Sequence, residues 1–128
     1  MTAVHARSSG RIITVSFDPG EELVSSLGKA LAEAGVESGL ISFHGELKSA
    51  RLILGFRKYS RATDDFDRVS FDDSRQASGN GEVWQSTPGS TKVALWCTVG
   101  HEREVFVGDI VEATVGRGFR LGVFESVA

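Results

Sequence analysis

The sequence predicts an α+β fold in which one main helix packs on a curled, mostly antiparallel sheet of about seven strands. Three observations lead there. Only one segment, early in the chain, combines helical periodicity with stop and start residues at its ends. The apolar segments after it alternate with period two or are rich in β-branched residues, as half-buried strands are. A single helix cannot cover so many strands, so the sheet is expected to curl or to bury its bare face against other subunits.

Residues 1–10 show no pattern and read as a flexible N-terminal arm, leaving 11–128 as a single domain. Arg11 to Phe17 alternates and is rich in β-branched residues, which predicts a strand. Asp18 as N-cap, Pro19 at the first helical position and Glu21 three residues after Asp18 then mark a helix start. Leu23, Leu27 and Leu31 form one apolar stripe, and Gly35 supplies the stop. Leu40–Leu47 and Ala50–Phe56 read as strands separated by Lys48 and Ser49, either an antiparallel pair or one bent strand. Phe66–Phe71 is a short strand, and the polar stretch Asp72–Gly81 reads as a loop. Val83–Gln85 is another strand, followed by a turn at Pro88 and Gly89. Lys92–Val99 places Val93, Leu95, Cys97 and Val99 on one face. Glu104–Val115 and Phe119–Glu125 close the chain around the turn Gly116, Arg117, Gly118.

Composition narrows the function classes. The 128 residues, 41% hydrophobic and 24% charged, are enough for one buried core without staples. The longest apolar runs, such as Leu52–Leu54 and Val105–Val107, fall far short of the roughly 20 residues that span a bilayer. No secretory signal is visible, and the lone Cys97 fits a reducing cytoplasm. The net charge of −3 and pI of about 5.6 argue against a large phosphate-neutralising face. Arg57, Lys58, Tyr59 and Arg61 set an aromatic among three cations, which would suit nucleic acid; the plainer reading, and the favoured one, is a solvated loop between strands.

Four stretches stand together: Phe17-Asp18-Pro19-Gly20-Glu21-Glu22 before the helix, Gly39 to Leu47 (GLISFHGEL), the strand opening Ser49-Ala50-Arg51-Leu52, and the closing strands around Gly108. In their order they resemble the plants-and-prokaryotes-conserved (PPC) domain, the module found beside AT-hooks in plant nuclear proteins and alone in many bacteria. The resemblance implies an α+β homotrimer and links to DNA and transcriptional regulation. It also implies a metal site built from a His-x-His and a Gly-Gly-His. Here those positions read Ala94-Leu95-Trp96 and Val107-Gly108-Asp109. The three histidines are gone, so no metal and no other cofactor is expected. The AT-hook core is missing too, because Arg117-Gly118-Phe119-Arg120 has no proline.

Candidate chemistry lies at and near the rebuilt positions. Trp96, Cys97, Asp109 and His44 are candidates for a small-molecule pocket with an aromatic wall, a thiol and a carboxylate; the alternative is that Trp96 simply fills the old cavity. Cys97 shares a strand face with apolar neighbours and reads as an inert core thiol. His44 and Glu46, two apart on one face, together with Asp109 and Glu112, are the candidates for acid–base work. Each is equally explained by a wet sheet face or an ion pair. The sequence therefore leaves open whether the chain is an enzyme. The reading it favours is a PPC-like homotrimeric binding module, DNA-associated or regulatory, acting through protein partners or weak DNA contact. The alternative is a small metal-independent enzyme or small-molecule-binding protein that uses a remodelled pocket between subunits.

Overall fold

In the computed structural model the described residues are 2–4, 9–56, 66–101 and 103–127. The predicted leucine stripe forms α1 (Leu23–Glu33), and Leu23, Leu27 and Leu31 are all fully buried. The C-terminal stop is as predicted. Gly35 adopts φ +72°, and the Val36 N–H donates back to the Leu31 carbonyl at 3.0 Å.

The helix start differs from prediction. The Asp18 and Glu21 pair closes a turn of its own, with the Asp18 N–H donating to Glu21 Oε1 at 2.7 Å. The true N-cap is Glu22, whose carboxylate accepts from the Val24 and Ser25 N–H groups at 3.0 and 2.9 Å. The delay has a cause in the sheet. Gly20 donates to the Val115 carbonyl and Val115 donates to the Glu21 carbonyl, so Gly20 and Glu21 are tied to the strand Glu104–Val115 and Glu22 is held extended opposite Thr114, which delays the helix to Leu23.

Seven strands follow the chain: β1 (Ser9–Val15), β2 (Gly39–Phe56), β3 (Phe66–Phe71), β4 (Arg75–Gln85), β5 (Thr91–His101), β6 (Glu104–Val115) and β7 (Arg120–Ser126). All their pairings are antiparallel, in the order β1-β7-β2-β4-β5-β6, with β6 returning to β2. The sheet therefore curls into a barrel, as one helix over many strands requires. Eighteen-residue β2 is its spine: the first half lies between β7 and β4, the second between β6 and β3. The bent-strand option for Lys48 and Ser49 is the correct one, with a register shift there marking the bend.

The polar stretch read as a loop is instead largely strand, since β4 begins at Arg75. Its glycines explain both the fold and the misreading. A Cβ at Gly79 would collide with the Trp96 carbonyl and sit 2.7 Å from Phe43 Cζ, and one at Gly81 would sit 2.5 Å from Leu95 Cδ2. Neighbouring groups occupy the space where side chains would stand.

One core fills the concave side, joining the helix leucines to Ile41, Phe43, Leu47, Leu95, Val99 and Val123. Among the described residues no helix covers the convex side. Among the described residues no helix is long and apolar enough to cross a membrane.

Candidate functional site on the convex sheet face

Strand alternation sorts the candidates before any chemistry does. Ile41 and Phe43 point into the core, so Leu40, Ser42 and His44 point out. The register then builds cross-strand rows on the outer face. One row runs Ile12, Phe124, Leu40 across β1, β7 and β2. The next runs Ser42, Asn80, Trp96, Asp109 across β2, β4, β5 and β6. A third runs Arg120, His44, Ser78, Thr98, Val107. The first row is apolar and open, with Ile12 76%, Phe124 53% and Leu40 62% exposed.

Trp96 and His44 thus share the face on adjacent rows, with Asp109 directly opposite Trp96. Trp96 is 39% exposed, so its indole stands on the surface of the chain rather than filling a cavity. A groove of about 400 Å³ runs between Ser42, His44, Asn80, Trp96 and Thr98. Cys97, next in sequence, faces the core. Burial pushes its thiol up to about 11, so very little thiolate exists at neutral pH.

The carboxylate candidates do not converge. Glu46 accepts a hydrogen bond from the Arg117 N–H at 3.3 Å and packs under the β6–β7 turn. Glu112 lies opposite Arg51 on the second half of β2 and pairs with it at 2.9 Å, both side chains more than half exposed. Such a pair contributes little to stability. Glu22 is firmly held. Burial opposes its ionisation, yet donation from the Ser25, Ala113 and Val24 N–H groups outweighs that and lowers its pKa. Glu125 accepts from the Arg11 guanidinium at 2.8 and 3.1 Å and from the Arg11 N–H at 3.0 Å, which brings its pKa down to about 2. Arg11 in turn reaches the Ala34 carbonyl at the helix end, 2.9 Å away. Glu22, Glu46 and Glu125 brace the fold. The basic candidates Arg57, Lys58, Tyr59 and Arg61 lie outside the described residues.

One outward residue escaped the sequence reading. Arg120, which follows the last turn, is the direct cross-strand partner of His44. The two are far apart in sequence, and only the register joins them.

The positions where the resemblance would put metal ligands do not fit a metal. Ala94 and Trp96 offer no donor, and Asp109 leaves a single carboxylate. Among the described residues no group of three or more His, Cys, Asp or Glu side chains is placed to hold an ion.

No curated protein matches the sequence. The fold is similar to that of several solved structures. A metal-containing protein of Archaeoglobus fulgidus is 20% identical, with a TM-score of 0.80 over 99% of this chain and 87% of the other. A plant- and prokaryote-conserved (PPC) protein of Pyrococcus horikoshii is 22% identical, with a TM-score of 0.81 over 99% and 86%. A protein of Bacteroides thetaiotaomicron described as a candidate DNA binder is 21% identical, with a TM-score of 0.71 over 95% and 85%. The model of the Plants and Prokaryotes Conserved (PCC) domain matches residues 4–124, nearly the whole sequence, and the chain belongs to that family.

Proposed function

We propose that the chain works as a homotrimeric binding module of the cytoplasm, with a regulatory role exerted through protein partners and weak contact with DNA. The observation that carries this reading is the open apolar row Ile12, Phe124, Leu40 on a sheet face opposite the core that α1 covers. Contiguous exposed apolar surface of this kind marks contact sites. The description of the Bacteroides relative supports the DNA component, and the net charge of −3 keeps that contact weak. The spread of the carboxylates and the buried thiol favour binding over catalysis.

Phe124→Asp places a charge in the middle of the row and should convert the assembly to single chains without unfolding them. A duplex of about 20 base pairs should bind at low salt and dissociate as salt rises. No binding at low salt would remove DNA from the reading.

A second reading takes the Trp96 groove as a small-molecule pocket, with or without metal-independent catalysis. It rests on the exposed indole beside His44 and Asn80. Small polar aromatic compounds should then raise the melting temperature, and Trp96→Ala should abolish the rise.

A further inference from the structure

A second groove on the convex face lies on the other side of His44, between β1, β7 and β2. Its volume is about 680 Å³, within the range of roughly 300–1,000 Å³ usual for small-molecule sites. Thr14, Ser16 and Ser42 line it with hydroxyls, Phe119 and Phe124 with aromatic surface, and Arg120 and His44 with nitrogen donors.

In a protein with 17 acidic residues against 14 basic ones, the described residues that line this groove include no carboxylate, and the same holds for the Trp96 groove beside it. Two other grooves on the molecule do contain them, Glu37 and Glu125 in one and Glu22 and Glu112 in the other. Arg11, Arg51 and Arg75 each hold a carboxylate. The side chains of Arg120 and His44 make no hydrogen bond or ion pair with the described residues, although the two residues are directly opposed across two strands. The acid that shares the outer face of β2 with His44, Glu46, is engaged by the Arg117 backbone. A guanidinium facing an imidazole without a counter-charge gains nothing from the pairing.

We infer that Arg120 and His44 form a binding site for a small organic anion, a carboxylate or phosphate ester on an apolar body. The guanidinium offers its fork to two oxygens of the anion, and the imidazole and hydroxyls supply single donors. The body of the ligand lies along Phe119, away from the apolar row that the copies of the chain share. The site is complete on one chain and uses Arg120, which neither reading above requires.

The test is calorimetric titration of the full chain with benzoate, phenyl phosphate and, as the neutral control, benzamide. At least one aryl anion should bind saturably, one per chain, and benzamide should not. Arg120→Gln should weaken binding by roughly tenfold or more, as loss of a charged two-pronged contact does. Its unliganded melting temperature should stay within about 2 °C of the parent, as for an unpaired surface side chain. Trp96→Ala, which strips the neighbouring groove, should leave anion affinity within about twofold. If neither anion binds, or if Arg120→Gln binds as well as the parent, the site is not there. Duplex DNA binding with neither aryl anion bound would overturn this assignment and leave the module reading standing.

Discussion

Replacing Leu27 with alanine measures how much of the fold depends on its one helix. Leu27 is fully buried at the middle of the stripe, between Leu23 and Leu31, and the helix lies against β5 and β6. A Cβ added at Gly28 would already meet Val93 Cγ2 at 4.0 Å, so helix and sheet are close. Neighbouring side chains therefore have little freedom to collapse into the space, and truncations of this kind cost about 2.7–5.0 kcal/mol. Against the roughly 6–19 kcal/mol expected of a 128-residue domain, that is a large fraction. At about 3–5 °C per kcal/mol for this size, the melting temperature should fall by about 10–20 °C. Urea unfolding followed by circular dichroism should show a lower midpoint with an unchanged slope. Glu33→Ala, exposed on the same helix, should stay within about 0.5 kcal/mol of the parent. A loss below about 1 kcal/mol at Leu27 would mean that the helix is not seated on the barrel as described.

Two further predictions concern ionisation. The Arg11 contact depresses Glu125, so the stability it adds is present above pH 4.5 and is lost as pH falls from 4.5 toward about 2. Glu125→Gln should therefore flatten the acid side of the stability–pH curve; an identical acid limb in the variant would show that the contact does not persist in solution. Cys97, with its thiol pushed up to about 11 by burial, should resist iodoacetamide at pH 8 and react rapidly in denaturant. Alkylation of the native protein at the rate of a free thiol would contradict its inward orientation.

What the sequence made legible follows from how local each signal is. The helix stripe and its glycine stop are written within a dozen residues, so both were readable. Its start was not, because the bridge at Glu22 and the hydrogen bonds at Gly20 and Glu21 are imposed by β6, some ninety residues on. Strand β4 was hidden for a related reason. Gly79 and Gly81 look like loop residues until Phe43, Leu95 and the β5 backbone are placed against them. At the candidate site, alternation alone predicted that Val93, Leu95, Cys97 and Val99 share a face. By the same rule Trp96 must point the other way, so neighbours in sequence ended on opposite sides of the sheet. Arg120 could not be found by pattern. Its meaning comes from the β2–β7 register, which sets it against His44. Glu46 and Glu112 were visible as candidate strand carboxylates, but their partners Arg117 and Arg51 come from other segments, as does Arg11, the partner of Glu125.

The central claim is that the apolar row of the convex face, Ile12, Phe124 and Leu40, is covered by other copies of the chain. Light scattering coupled to size exclusion tests it directly. The account predicts a particle of three times the 13.7 kDa chain mass that Phe124→Asp reduces to one. A parent protein that elutes at 13.7 kDa across the concentration range, with its apolar row open to water, would contradict it.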